Sequence, residues 1–179
     1  QCEVIDELGK LAGHGDKMAQ ITRKAMTGEI EFKTALRDRV AILKGLPVEA
    51  LEKLFENLPL TAGAENLVQI LKHLGYKIAL VSGGFDFFID KLCSRYGLDY
   101  GVANELKIEN GLVTGELGKE IIDAEAKENA LVSLAEREGF SLRQVVAVGD
   151  GANDIKMLAR AGLGIAFNAK PIVQRQAQA

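Results

Sequence analysis

Two aspartates, Asp150 and Asp154, are the residues of this chain whose type and spacing best suit chemistry. The valine-rich run at 145–148 before them predicts a strand buried on both faces, and Gly149 and Gly151 then favour a turn. Ligands bind at the carboxyl ends of strands in open α/β sheets, so the pair stands where a site is expected. Such acids suit Mg²⁺, which often takes only one or two protein carboxylates. A turn residue followed by a helix-start acid would give the same pattern, and that interpretation stays open here.

A second candidate site follows another predicted strand, at 77–82. Ser82, Gly83 and Gly84 stand where this strand would end, and a helix is predicted directly afterwards. A hydroxyl, exposed backbone N–H groups and a helix N-terminus together form a cradle suited to phosphate. A tight connection between strand and helix would use the same residues. Because both strands are predicted to be parallel, we expect Ser82 to lie at the same edge of the sheet as Asp150.

Lys127 is a cation on the apolar face of a predicted helix. It precedes Leu131 by four residues, which places both on one face. It also stands near the helix N-terminus, where the macrodipole disfavours a positive charge. The side chain therefore either extends its stem to solvent or presents a fixed charge to an anionic ligand in a site that excludes water.

Arg39 repeats this pattern in a helix predicted at 31–43. The apolar stripe of that helix consists of Phe32, Leu36, Val40 and Leu43. Arg39 falls beside the stripe and is predicted to face inward, whereas Arg37 is predicted to be solvated. A buried structural ion pair and a substrate carboxylate bound by the planar guanidinium are the two interpretations. Glu3, at the start of the first helix, is by its spacing an acid that compensates the helix dipole.

The elements that must position these residues change type near Pro59. Helical periodicity predicts four helices before it, at 3–12, 16–26, 31–43 and 47–57. Helices and strands alternate after it: helices at 63–74, 86–96 and 124–138, a helix opened by Asn153 and Asp154, and strands at 77–82, 100–104, 145–148 and 163–167. A hairpin with strands at 106–108 and 112–115 turns at Asn110-Gly111. We therefore predict an α/β fold, with a doubly wound parallel sheet at 59–179 and a small helical cap at 1–58.

Composition narrows the class of protein. The chain has 179 residues, of which 47% are hydrophobic, and this is enough for one substantial core with a modest insertion. Its net charge is −3. Basic residues alternate with acids, so neither nucleic acid nor a membrane surface is expected as a partner, and a small soluble molecule is. No apolar run approaches the ~18 residues of a spanning helix, and the expected location is the cytoplasm. Cys2, Cys93, His14 and His73 lack metal-type spacing and are predicted to be structural.

Several segments together resemble the haloacid dehalogenase superfamily. The motifs are VSGGFDFF at 81–88, Lys127 within DAEAKENAL, and VGDGANDIKML followed by AGLGIAFNAKP. CEVIDELGKLAG, ITRKAMTGEIEF, ALRDRVAILKGLP and VANELKIENGLVTGE are similar to the helical cap and core of those members that hydrolyse phosphoserine. The resemblance covers the whole chain and implies a Rossmann-type core with a helical cap.

The resemblance also implies a role for each candidate in the core. Asp150 would bind Mg²⁺, and Asp154 would support the surroundings of the metal. Ser82 and the backbone of Gly83 would hold the phosphoryl group during catalysis. Lys127 would neutralise the charge of the phosphoryl group and of the nucleophile.

Further residues would bind the rest of the substrate, again by resemblance. Glu3 would meet the ammonium group of phosphoserine and Arg39 its carboxylate. Met26 and Phe32 would close over the substrate, and Asn153 would also reach it.

The chemistry implied is hydrolysis through an aspartyl-phosphate, which divides one difficult displacement into two steps. The superfamily places the nucleophile in an Asp-x-Asp-x-Thr motif, which does not occur in this sequence. Asp6 cannot replace it, because it lies in helix-patterned sequence with no strand before it. We therefore expect this chain to be the interior of a longer polypeptide.

Two other functions remain compatible with these residues. A phosphotransferase of the same fold would pass the phosphoryl group to an alcohol instead of water. A module that binds a phosphorylated ligand without catalysis would result if no Asp-x-Asp motif preceded Gln1. A P-type ATPase shares the Gly-Asp-Gly-x-Asn-Asp motif, but an Arg-bearing cap and the lack of spanning segments argue against it. The sequence leaves the oligomeric state open, a homodimer included.

Overall fold

The computed structural model of the chain describes residues 4–26 and 29–179, apart from the side chain of Met26. The contacts divide the chain into two compact units. The first unit holds the residues up to Leu80 together with Gly84–Ile121, and the second holds Val81–Gly83 and Ile122–Ala179. Pro59 lies inside the first unit, so the boundary between cap and core near that residue stays a prediction.

Six helices in the described part of the first unit match those predicted to within two residues. They are α1 (Val4–Leu11), α2 (Gly15–Met26), α3 (Phe32–Ala41), α4 (Val48–Glu56), α5 (Ala64–His73) and α6 (Asp86–Tyr96). None of the helices in the described ranges is long and apolar enough to cross a bilayer.

One apolar cluster holds α1, α2, α3 and α4 together. It includes Leu8, Met18, Val40 and Leu51, all of them buried. Gly9 allows α1 to approach α2 closely, because a Cβ atom at this position would lie 2.7 Å from Cε of Met18. The packing therefore fixes the position of α1 within this unit.

The stripe predicted for α3 is partly wrong. Leu36, Val40 and Leu43 are buried as expected, but Phe32 is 44% exposed. Phe32 is the first residue of α3, and the buried cluster along this helix includes Leu36 and Val40 but not Phe32.

Four strands follow α5 in the sequence and form two separate pairs. They are β1 (Ala79–Phe85), β2 (Tyr100–Asn104), β3 (Leu106–Glu109) and β4 (Leu112–Leu117), with β1 paired to β2 and β3 to β4. The β3–β4 pair is the predicted antiparallel hairpin. Its turn residues Asn110 and Gly111 have φ values of 51° and 77°, the left-handed conformation that an Asn-Gly turn favours.

Strand β1 extends further than its sequence predicts. Ser82, Gly83 and Gly84 lie inside the strand and not in a turn after it. The buried Asn104 side chain donates a hydrogen bond of 3.2 Å to the carbonyl oxygen of Gly84, at the end of β2. This pairing keeps the glycines extended, and the helix α6 begins only at Asp86.

Asp99 fixes the chain just before β1. Its carboxylate accepts hydrogen bonds from the Ile78 backbone N–H at 2.8 Å and from Lys72 Nζ at 2.9 Å. Burial raises the pKa of Asp99, but the bonds from Lys72 and Ile78 and the charges of Lys72 and Lys77 outweigh it and lower the pKa overall. The native state therefore prefers the ionised form of this carboxyl.

The second unit contains the remaining regular elements. They are α7 (Ala124–Glu138), β5 (Val146–Gly149), α8 (Ile155–Arg160), β6 (Leu163–Ala166) and α9 (Pro171–Gln174). Strands β5 and β6 pair in parallel, with Val146 opposite Leu163 and Gly149 opposite Ala166. A parallel pair joined by a helix is the α/β unit that the sequence predicts.

The prediction that β5 is buried on both faces is wrong for the described chain. Ala147 packs in a cluster with Leu131 and Leu158, but Val146 and Val148 are 51% and 54% exposed. Successive side chains of a strand point to opposite faces, so only the face with Ala147 contacts the helices of this unit.

Candidate active site

The loop after β5 is shaped by the carboxylate of Asp154. One oxygen of that carboxylate, Oδ2, accepts hydrogen bonds from the backbone N–H groups of Asp150 at 3.1 Å and Gly151 at 3.0 Å. Glycine is needed at position 149, since a Cβ atom there would lie 2.5 Å from Cβ of Asp154. The buried Asp154 side chain thus passes beneath the loop and fixes the backbone of Asp150 at the carboxyl end of β5.

The other oxygen of Asp154 binds Lys127. Lys127 Nζ donates to Asp154 Oδ1 at 2.7 Å, and each side chain is only 7% exposed. The first turn of α7 holds Lys127 in place, because the Asp123 side chain accepts hydrogen bonds from the N–H groups of Glu125 and Ala126. The alternative of a lysine that extends its stem to solvent is therefore wrong.

The same contacts assign different parts to the two aspartates. Both oxygens of Asp154 accept hydrogen bonds from the chain, so this carboxylate acts as the organiser of the loop and is more than a helix-start acid. Asp150, half-buried, is the carboxylate that stands at the strand end. Lys127 lies beside the loop as a buried positive charge whose partner in this structure is Asp154.

The carboxylates of this loop are oxygen donors of the kind that Mg²⁺ takes. No group of three or more His, Cys, Asp or Glu side chains in the described ranges is placed to hold a metal. Zinc sites use three or four such protein ligands. Mg²⁺ is usually held by one or two carboxylates together with water and substrate phosphates, so a single carboxylate such as Asp150 is compatible with it.

Gly83 lies next to the aspartate loop. A Cβ atom at Gly83 would be 3.9 Å from Asn153 Nδ2 and 3.6 Å from the carbonyl oxygen of Ile122. Neither Gly83 nor Gly84 has a positive φ, and both distances at Gly83 are ordinary van der Waals contacts. The structure thus places Gly83 near Asn153, which immediately precedes the loop organiser Asp154.

Arg39 belongs to the first unit and faces inward, as predicted. Its Nη2 atom donates to Oδ1 of Asp6 at 3.0 Å. The side chains are 11% exposed for Arg39 and 36% exposed for Asp6, whereas Arg37 is exposed to solvent. The structural ion pair that the sequence left open is thus present, with a partner that the sequence did not indicate.

For the three remaining residues predicted to contact the substrate, the structure gives little or no information. Glu3 and the side chain of Met26 lie outside the described residues. Phe32 is described and presents much of its ring to solvent at the start of α3. Its helix is capped by Glu31, whose carboxylate accepts a hydrogen bond of 3.1 Å from the backbone N–H of Thr34.

The structural roles predicted for the cysteines and histidines stay predictions. Cys93 is half-buried and donates to the carbonyl oxygen of Tyr100 at 3.5 Å. Burial, and then the charge of Asp90, raise the pKa of its thiol, so the reactive thiolate is disfavoured. His14 and His73 are exposed, and Cys2 lies outside the described residues.

Comparison with known proteins places these sites in a family context. The family model described as haloacid dehalogenase-like hydrolase matches residues 2–162. A phosphoserine phosphatase of Archaeoglobus fulgidus is 55% identical over 174 residues, and one of Lactococcus lactis is 48% identical over 172 residues. A solved structure described as a phospho-aspartyl intermediate analogue of phosphoserine phosphatase has a TM-score of 0.88 at 45% identity and covers 98% of this chain.

The matched relatives differ in length. The chain covers 51% of the Archaeoglobus protein, 80% of the Lactococcus protein and 84% of the chain in the solved structure. The α/β fold predicted from the sequence, with a core of the haloacid dehalogenase type, is confirmed by these matches.

Proposed function

We propose that this chain, which belongs to the haloacid dehalogenase-like hydrolases, is part of an enzyme that hydrolyses O-phospho-L-serine to L-serine and phosphate. This reaction is the last step of serine biosynthesis. The chain would provide the groups of the enzyme that bind the phosphate and the rest of the substrate. The observation that carries the proposal is the buried Lys127–Asp154 pair, which fixes both a cation and the Asp150 loop, with Asn153 of that loop close to Gly83. The relatives named as phosphoserine phosphatases, at 48% to 55% identity, support this choice of substrate.

The phosphoryl group would be held by residues of the second unit. The Ser82 hydroxyl and the Gly83 N–H would donate hydrogen bonds to its oxygens, and Asn153 stands close to Gly83. The ammonium group of Lys127 would offset the negative charge that must be concentrated on the phosphoryl oxygens and the nucleophile. Because its side chain is buried, this charge acts where water is largely excluded.

Asp150 would hold Mg²⁺, and Asp154 would keep Asp150 in place. When bound, Mg²⁺ neutralises part of the charge on the transferring phosphoryl group. Asp154 contributes through the backbone of the loop, because its oxygens already accept hydrogen bonds from Lys127, Asp150 and Gly151.

The covalent route needs an aspartate nucleophile. The solved phospho-aspartyl intermediate analogue of a relative supports such a route. We propose that residues of the full-length protein outside the present sequence supply the nucleophile and the acid-base aspartate, since the sequence contains no Asp-x-Asp-x-Thr motif.

The first unit would recognise the amino-acid part of the substrate. Arg39, buried and charged, would bind the carboxylate through two parallel N–H···O bonds. Glu3 would bind the ammonium group. Phe32, exposed at the start of α3, and Met26 would cover the substrate.

With this function we propose that the enzyme is cytoplasmic and that its partner is a small phosphomonoester substrate. A net charge of −3 with interspersed basic residues supports a small soluble partner over nucleic acid or an anionic membrane. Homodimer formation stays a prediction, which light scattering of the purified protein would check.

The proposal is tested on the full-length protein by phosphate release from phosphoserine in Mg²⁺ and in EDTA. We expect activity in Mg²⁺, loss of activity in EDTA and loss of most activity in Lys127→Ala. The matched control is Lys156→Ala, which removes an exposed lysine of α8 and should retain activity. Phosphoserine binding without turnover would support a non-catalytic module, and a phosphorylated alcohol formed when an alcohol is added would support a phosphotransferase.

A further inference from the structure

Asp6 and Arg39 form an ion pair between two helices that the apolar core has already placed. Ile5 and Leu8 of α1 lie in the same buried cluster as Leu36 and Val40 of α3. The two charged residues are therefore close because of packing between the helices. The ion pair thus lies beside an apolar contact that already joins the two helices.

The pair combines a buried cation with a more exposed anion. Arg39 lies in the last turn of α3, its side chain 11% exposed, while the carboxylate of Asp6 is 36% exposed. The hydrogen bond joins Asp6 Oδ1 to one terminal nitrogen, Nη2, of the guanidinium. Since the guanidinium is planar and rigid, fixing Nη2 also fixes the direction in which the rest of the fork points.

We propose that Asp6 is a positioning residue for recognition of the substrate carboxylate: it sets the orientation of the Arg39 guanidinium before phosphoserine binds. The inference rests on the proposed function, in which Arg39 binds that carboxylate. An arginine side chain has many rotamers, and holding it in one of them in advance removes an ordering cost from substrate binding.

The opposite effect is also physically possible, and the two differ in sign. As a negative charge 3.0 Å from Arg39, Asp6 could weaken binding by repelling the substrate carboxylate and by occupying the guanidinium. A positioning residue lowers the KM for phosphoserine, whereas a competitor raises it. Removing Asp6 therefore distinguishes the two.

The test compares two substrates in the full-length enzyme. Phosphoserine has the carboxylate, and phosphoethanolamine has the same ammonium and phosphate groups without it. We expect Asp6→Ala to raise the KM for phosphoserine about tenfold, the effect of one rotamer-rich side chain left unordered, with kcat nearly unchanged. Asp6→Asn, which retains an oxygen acceptor for Nη2, should raise it about threefold. KM for phosphoethanolamine should stay within about twofold.

Asp38→Ala is the matched control, because it removes an exposed aspartate adjacent to Arg39 in the sequence. It changes the net charge as Asp6→Ala does and should leave both substrates unaffected. Thermal melting of each variant reports whether the fold is intact.

Each other outcome overturns the inference. Equal losses for both substrates would mean that Asp6 only supports the fold, and a lower KM for phosphoserine would mean that it competes with the substrate. Unchanged KM values in both Asp6 variants would show no role in recognition. If the wild-type enzyme itself does not hydrolyse phosphoserine, the proposed function fails and this inference falls with it, a result distinct from the others.

Discussion

Replacing Asp154 by asparagine tests how the candidate site is organised. All three groups that face the Asp154 carboxylate are donors: Lys127 Nζ, the Asp150 N–H and the Gly151 N–H. Asparagine has the same shape but presents an oxygen on one side and an NH₂ group on the other. In either orientation, its NH₂ group faces a donor, so at least one buried donor loses its partner.

The expected loss of stability is large, because both members of the Lys127–Asp154 ion pair are buried. The Lys127 and Asp154 side chains are each 7% exposed, so screening by solvent does little to reduce their interaction. Removing one member of a buried ion pair costs ~3 to 5 kcal/mol, and we expect Asp154→Asn in this range. Lys127→Met should cost about 3 kcal/mol, at the lower end, because the carboxylate keeps its two backbone donors.

A double-mutant cycle separates the pair from other effects. In the variant that carries both substitutions, the NH₂ group of the new amide faces a methionine side chain and no longer an ammonium group. We therefore expect the double variant to be more stable than the sum of the single losses by about 2 kcal/mol. The measurement is the free energy of unfolding in urea for the full-length protein, with Lys156→Met as the control.

Additive losses, or single losses below about 1 kcal/mol, would refute the reasoning. They would mean that the ion pair does not hold the Asp150 loop in solution. The proposed positioning of Mg²⁺ by that loop would then lose its structural basis.

Four further predictions concern other parts of the chain. Asp150→Asn should lose most of the Mg²⁺ affinity that calorimetric titration measures, and equal affinities would contradict its assignment as a ligand. Arg39→Ala should reduce kcat/KM for phosphoserine about a hundredfold, or ~2 to 4 kcal/mol, and barely change that for phosphoethanolamine; equal losses for both would reject recognition of the carboxylate. Gly149→Ala should weaken the fold and Mg²⁺ binding together, because its Cβ atom would lie 2.5 Å from Cβ of Asp154, and a wild-type melting temperature would contradict this. Asp99→Asn should lower the free energy of unfolding at neutral pH. Because the folded state lowers the pKa of Asp99, the stability that this carboxylate gives is present above its unfolded pKa and lost in acid, so the difference in stability between variant and wild type should shrink as the pH falls below about 4. Urea unfolding at several pH values measures this difference, and a difference that stays constant would contradict the role of the ionised form.

The sequence by itself determined most of the local structure. Helices α6 and α7 have the bounds that periodicity and capping residues predict, since those signals act within a few residues. The Asn110-Gly111 turn was predictable for the same reason, because both residues tolerate a positive φ. Helical spacing also placed Lys127 on the apolar face of its helix and predicted that Arg39 faces inward, but it left open whether the Lys127 ammonium group reaches solvent, and the structure shows it buried.

Tertiary packing decided where strand length and burial differ from those that the local sequence pattern predicts. The glycines after Val81 favour a turn by composition, yet the hydrogen bond from Asn104 to Gly84 keeps them in β1. Val148 has the side chain of a buried strand residue, but it is exposed because the cluster of the second unit covers only the face with Ala147.

Only the tertiary structure decided the partners of the buried charges. Lys127 and Asp154 are 27 positions apart, and Asp6 and Arg39 are 33 apart. Spacing within one helix shows that a charge faces inward, but it holds no information about which distant side chain it meets. That depends on how α7 packs on α8 and α1 on α3, and this is why Asp6 emerged as a partner of Arg39 only from the folded chain.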